Sequence, residues 1–238
     1  MILIRCVTIS VLLAATSFAA TVPFEEDFAA SDANWVTAAG LPGLDFFASG
    51  GPDGNGYVSD ELSFANLSPD DQGPVIFRGD NNFSSSGNAF VGNWITEGVD
   101  QFSYWVRHDT FDPSTGAPVP INFFARFASP FNFPGATAPE FVPVLPGVWT
   151  ELSVDIVDGM VPFGPFVTYE GSDFDTIFSN IGKVQVGVSV PAAVAGLADS
   201  FRFDLDRVGI QAVPEPVGPL TTLTGFLAVL MAIGRRRR

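Results

Sequence analysis

The sequence predicts an all-β antiparallel domain, a sandwich or a barrel, with one short helix, set between two apolar end segments. Period-two alternation recurs in short runs at 101–107, 121–127, 148–157, 183–190 and 200–210, the mark of half-buried strands. Clusters of Gly, Pro, Asn and Asp separate those runs and punctuate them as turns. Helical punctuation is convincing at one place only, near residue 175. Several short strands with turns between them fold as a sandwich or a barrel.

The first element is a targeting segment. Arg5 supplies a positive start, residues 7–15 are apolar, and Ser17-Phe18-Ala19 or Phe18-Ala19-Ala20 forms a small-residue cleavage site. Residues 1–20 therefore read as a signal peptide, with Ala20 or Thr21 opening the mature chain. The single cysteine, Cys6, lies inside this segment without a lipobox-like context. The domain that follows is expected to hold no disulfide, thiol nucleophile or cysteine metal site.

Residues 21–212 are one domain's worth of chain, enough for a sizeable core. Of the 26 acidic and 11 basic residues, the end segments take Glu215, Arg5 and the four terminal arginines, leaving 25 acidic against 6 basic, or −19. So acidic a domain is not expected to bind nucleic acid, which requires a basic surface. The acidity keeps an exported domain soluble; a sharper use is to gather carboxylates on calcium, which takes oxygen ligands.

Alternation sorts the strand faces. Leu152, Val154 and Ile156 point one way and Glu151, Ser153 and Asp155 the other; Phe102, Tyr104 and Val106 match the inward set, leaving Ser103, Trp105 and Arg107 outward. An aromatic beside a basic residue can stack on a sugar ring while its hydroxyls are hydrogen-bonded. Trp105, Arg107 and Arg126 are accordingly the candidate glycan-binding residues. Phe123, Phe127, Phe201 and Phe203 read as core, in a chain with 24 phenylalanines, as do Trp35 and Trp149 as core or sheet-edge packing. The helix is expected to start at Ser172, with Asp175 three residues on, to bury Phe174, Ile177 and Phe178, and to stop near Asn180 and Gly182. Residues 49–56, 111–119 and 130–139 read as loops.

Catalytic patterns are thin. His108 is the only histidine, with no triad partner at a diagnostic spacing, and a multi-histidine zinc site is excluded. A carboxylate pair such as Glu151 with Asp155 is the weak case for glycoside hydrolysis; the expectation is a non-enzyme. The run 50–56 begins like a calcium loop and fails at Tyr57, Val58 and Phe64, so it reads as a turn.

The last segment is Val213-Pro214-Glu215-Pro216, an apolar stretch at 217–233 and Arg235-Arg236-Arg237-Arg238. As a helix the stretch reaches about 25 Å, marginal for a hydrocarbon core of about 30 Å. Pro219 suits its first turn, and the arginines place the C-terminus on the cytoplasmic side. Signal peptide, Val-Pro-Glu-Pro, short transmembrane helix and arginine cluster together resemble the PEP-CTERM sorting signal of Gram-negative bacteria. That resemblance implies recognition of Val213, Pro214, Glu215 and Pro216 by exosortase, a membrane transpeptidase, with 220–233 a transient inner-membrane anchor flanked by Arg235, Arg236, Arg237 and Arg238. It further implies a place at the cell surface or in the exopolysaccharide matrix of a biofilm. The alternative is a permanent single-pass anchor.

A second resemblance rests on Pro23-Phe24-Glu25-Glu26-Asp27-Phe28, Gly147-Val148-Trp149-Thr150-Glu151-Leu152 and the run from Phe201 through Asp204, Asp206 and Arg207 to Ile210. These look like the first, middle and last strands of jelly-roll domains related to carbohydrate-binding modules. The resemblance implies a jelly-roll β-sandwich whose terminal strands pair, and makes Glu25, Asp27 and Asp206 the candidate ligands of a structural calcium. Two functions follow: a sorted, non-catalytic surface or matrix protein, or a glycan-binding module that holds extracellular polysaccharide.

Overall fold

A computed structural model describes residues 19–37, 39–69, 72–138, 142–159 and 165–212. Most of the predicted signal peptide, and the whole of the sorting motif, transmembrane helix and arginine cluster, lie outside them; no helix among the described residues is long and apolar enough to cross a membrane.

In chain order the strands are β1 (Phe24–Glu26), β2 (Val36–Thr37), β3 (Asp45–Phe47), β4 (Tyr57–Ser63), β5 (Gln72–Asp80), β6 (Val99–His108), β7 (Ile121–Ala128), β8 (Gly135–Thr137), β9 (Val142–Val144), β10 (Thr150–Asp155), β11 (Val167–Thr168), β12 (Lys183–Ser189) and β13 (Ser200–Ala212), with helix α1 (Phe174–Phe178) between β11 and β12. They form two antiparallel sheets. Sheet A runs β10-β6-β13-β4-β3, with β1 also on β13; sheet B runs β11-β8-β7-β12-β5-β2, with β9 also on β7. The fold is therefore a sandwich and not a barrel.

The alternation read from the sequence is the alternation of the core. Phe102, Tyr104 and Val106 on β6, Leu152 and Val154 on β10, and Phe201, Phe203 and Leu205 on β13 are all buried, facing Phe123, Ala125 and Phe127 on β7 and Val184, Val186 and Val188 on β12. Aromatic rings fill much of the space between the sheets. Trp94 and Phe102 each meet Phe127 edge to face, with centroids 5.3 and 5.1 Å apart, and Phe178 sits 5.3 Å from the same ring. Edge-to-face pairs add to simple burial because ring edges are positive and faces negative.

Five strands were legible and two long ones were not. Pro74 demotes β5 when read as sequence, since proline cannot donate to a ladder. The structure accommodates it beside an irregularity, where the β12 register slips between Val186–Phe77 and Gly187–Val75. In β4 the acids Asp60 and Glu61 interrupt an apolar run whose Val58 is nevertheless fully buried. Residues 130–139 are not wholly loop, because β8 lies within them. The helix cap is also one residue later than predicted: Asp173, not Ser172, accepts the backbone N–H of Thr176 at 2.8 Å. An extended aspartate just before the first turn satisfies that orphan donor directly.

The terminal strands pair, with Phe24 opposite Ile210 and Glu26 opposite Val208. On the same edge of β13, β4 pairs only from Ser200 to Leu205. Asp206 and Arg207 fall in the gap between β4 and β1, at a break in the β6 register where Arg207 takes a positive φ of 47°. That irregularity decides one of the two sites below.

Candidate functional site

The structure divides the residues read as one glycan site. Trp105 and Arg107 lie on the outer face of sheet A and Arg126 on the outer face of sheet B. Arg107 is committed where it stands: its Nε donates to Asp204 Oδ2 at 2.7 Å, and its guanidinium lies 4.6 Å from the Trp149 ring and 5.0 Å from Tyr57. Arg202 shares Asp204 at 3.3 Å. Trp149, read as core or edge, therefore covers this outer face, and its Nε1 pins loop 50–56 through the carbonyl of Gly50 at 2.9 Å. Trp105 is half-buried between Asp206 on β13 and Glu151 on β10.

Within the calcium trio, Asp27 lies near enough for its charge to act on Asp206. Glu25 bonds Arg207 Nε and Nη2, and Asp27 accepts the backbone N–H of Ala29. Asp206 alone of the three is fully buried; its Oδ1 accepts the Arg207 N–H at 2.7 Å, and its Oδ2 has no hydrogen-bond partner among the described residues. Burial pushes its carboxyl up to about 7; the Arg207 N–H opposes this, and the nearby charge of Asp53 adds to it. No group of three His, Cys, Asp or Glu side chains among the described residues could hold a metal ion. The loop over Asp206 brings the carbonyls of Asn55 and Gly56 close to it. A Cβ on Gly51 would collide with Asp206 Oδ2 and lie within 3.1 Å of the carbonyls of Gly56 and Asn55, while one on Gly56 would meet the carbonyls of Phe28 and Phe47. An orphaned carboxylate oxygen near loop carbonyls is a donor set that suits a hard cation. The loop read as a failed calcium motif is thus a lid over an acid on another strand.

His108 is structural. Its Nδ1 accepts the Thr110 N–H at 3.1 Å, so Nε2 carries the proton that bonds the Val144 carbonyl at 3.0 Å. Burial lowers its pKa, and the neutral ring stacks on Phe203.

Sheet B carries the cleft. Pairing registers place Arg78 on β5, Gln185 on β12, Arg126 on β7 and Thr137 on β8 in one cross-strand row, while their neighbours Phe77, Val184, Val186 and Phe127 point into the core. The row floors a cleft of about 360 Å³, walled by Phe124, Phe133 and Tyr169. Gly187 makes room for one wall, since a Cβ there would collide with the Phe124 ring. Loop 129–134 closes over Arg126. Asn132, at a φ of 73° that asparagine tolerates better than most residues, accepts from Arg126 Nη1 through its side chain at 3.0 Å and from Nη2 through its carbonyl at 2.8 Å. Gln185 Oε1 takes a second Nη1 hydrogen. The guanidinium lies 5.1 Å from the Phe133 ring and 5.9 Å from Tyr169, and Tyr169 Oη bonds Thr137 Oγ1 at 2.8 Å. Phe133 is half exposed and Phe131, on the same loop, 91% exposed. Of these residues only Arg126 was singled out by sequence; the others share the cleft through cross-strand register and one loop, for which sequence carries no local signal.

No protein-family model and no curated protein matches the chain. Among solved structures it is similar to the xylan-binding domain of a Paenibacillus barcinonensis protein, at 12% identity over 82% of this chain and 98% of that one, with a TM-score of 0.42. It is also similar to a Clostridium thermocellum endo-1,4-β-D-xylanase structure that includes a carbohydrate-binding module, at 15% identity over 81% and 29% with a TM-score of 0.43. A third similarity is to an exo-β-agarase, at 8% identity over 82% and 26% with a TM-score of 0.49. The chain thus spans less than a third of the xylanase and agarase chains.

Proposed function

We propose that residues 21–212 form a non-catalytic saccharide-binding module of jelly-roll type that holds a glycan in the sheet B cleft. The observation that carries this reading is the ordered row Arg78–Gln185–Arg126–Thr137 with the rings of Phe133 and Tyr169 beside it. A sugar is bound by stacking its apolar ring face and by hydrogen-bonding its hydroxyls, and this cleft supplies both kinds of surface in fixed positions. Among the described residues lining the cleft there is no carboxylate, so the acid pair of glycoside hydrolysis is not at hand there. The test is affinity electrophoresis of the full chain through gels containing the exopolysaccharide of its host, xylan or agarose. Retardation that falls at least about tenfold in affinity in Tyr169→Ala or Phe133→Ala supports the site, as loss of a stacking ring should. Free migration in every gel, or retardation untouched by both substitutions, sinks it.

The sorting signal read from the tail completes the proposal: an exported protein, processed by exosortase and retained at the surface or in the matrix of a Gram-negative bacterium. Deleting residues 213–216 should abolish processing; a normally processed deletion would defeat the sorting claim. A structural calcium is the third part. Asp206, with the carbonyls of Asn55 and Gly56 in the 50–56 loop, would hold it, and the ion would supply the positive charge that the buried carboxylate lacks.

A further inference from the structure

We propose that the sheet B cleft selects an anionic saccharide, one bearing a carboxylate such as a uronate, held by Arg126 with Arg78 beside it. This rests on the glycan-binding reading and names its ligand class. In a domain of 25 acidic and 6 basic residues, two of the six cations line this one cleft. The other described side chains lining the cleft, Gln185, Asn132 and Thr137 among them, are neutral, while Arg78 also feels the charge of Asp80 on its own strand.

Arg126 is treated differently from the cations that serve structure. Arg107 and Arg202 share Asp204, Lys183 pairs with Asp80 and Arg207 with Glu25. Arg126 is 9% exposed, yet its three hydrogen bonds go to amide and carbonyl oxygens of Asn132 and Gln185, and none of the described carboxylates lies within ion-pair distance. A buried guanidinium without a counter-charge is costly. Burial and the charge of Arg78 both lower its pKa, so the cleft favours an incoming negative charge. The three bonds use both Nη1 hydrogens and one Nη2 hydrogen, leaving Nε–H and the second Nη2–H without protein acceptors among the described residues. Those two form the side edge of the guanidinium, the edge that takes a carboxylate bidentate. Asn132, Gln185 and the two rings hold the plane still, so the ligand need not order it.

The test follows the side-chain amide resonances of Gln185 and Asn132 in the cleft, with the Arg126 Nε–Hε resonance as well in wild type, by NMR of the full chain during titration with D-glucuronate, D-glucose, D-xylose and acetate, in wild type, Arg126→Lys and Arg126→Gln. The expected result is that glucuronate shifts these resonances at a concentration at least about tenfold below glucose or xylose, since a charge-assisted bidentate pair adds about one factor of ten or more. Acetate should be weaker than glucuronate, and both variants should lose the preference at a melting temperature close to wild type. Equal shifts with glucose, xylose and glucuronate would overturn the anionic preference and leave the glycan reading standing. No response of the cleft to any sugar would overturn both. Acetate matching glucuronate would reduce the site to one for free anions and overturn the saccharide claim. Arg126→Lys keeps the charge and loses the fork, so it decides the bidentate contact if Arg126→Gln folds poorly.

Discussion

The two outer faces of the sandwich handle charge in opposite ways. On sheet A, Arg107 and Arg202 converge on Asp204, Trp149 and Tyr57 cover Arg107, and loop 50–56 closes over Asp206. On sheet B, Arg126 is just as ordered but held by neutral groups, in a cleft open to solvent. A cation with a carboxylate beside it has spent its field on the fold. One fixed by amides keeps its field for a ligand, and the difference teaches that order alone does not mark a residue as structural.

The buried pair Lys183–Asp80 breaks the comparison hardest, because it places a fully paired cation on the sheet that carries the cleft. Lys183→Met leaves Asp80 charged and buried, and should cost about 3–5 kcal/mol in urea unfolding; Asp80→Asn added to it should restore most of that loss. A Lys183→Met protein as stable as wild type would mean that the pair contributes no net stability.

Next in size is Asp206. Because its pKa is raised in the folded state, its contribution is complete below the unfolded value near 4 and is lost as pH rises through about 7. In chelator the loss between pH 5 and pH 8 should be about 3 kcal/mol. With calcium that loss should disappear, and in Asp206→Asn the curves in calcium and in chelator should coincide, leaving in both cases the gain that His108, its pKa lowered by burial, contributes as pH rises. Identical curves in calcium and chelator would remove the cation from Asp206.

The smallest effect sharpens the contrast most. Arg107→Gln should cost about 2 kcal/mol, having lost a charge-assisted bond and two ring contacts, with saccharide retention unchanged. Arg126→Gln should unfold within about 1 kcal/mol of wild type, since an uncompensated buried charge goes with it, while retention is lost. The reverse pattern would move the binding face to sheet A.

Much of the fold was legible because burial imposes a period of two. The inward sets of β6 and β10 were read correctly for that reason, and the pairing of β1 with β13 was implied by a resemblance at the two ends of the domain. β5 was missed because Pro74 is a local contradiction that only a long-range register irregularity resolves. The sites were legible residue by residue and not as constellations. Asp206 was named, but the oxygens that the loop brings to it are backbone carbonyls, which every residue carries and no sequence distinguishes. Arg126 was named with Trp105 and Arg107, although alternation assigns a face only within one strand and cannot say which sheet that strand joins.

What the sequence determined alone was local: an acidic, cysteine-free β-domain, its strand faces, one short helix, and the pattern of its two end segments. The tertiary structure decided which charges meet. Pairing Gln185 with both Arg78 and Arg126 sets two cations on one floor, and ending β4 at Leu205's level leaves Asp206 in a gap that loop 50–56 must cover. Both outcomes depend on hydrogen-bond registers between strands far apart in the chain, and such registers are fixed by the whole core closing together, not by any one segment of it.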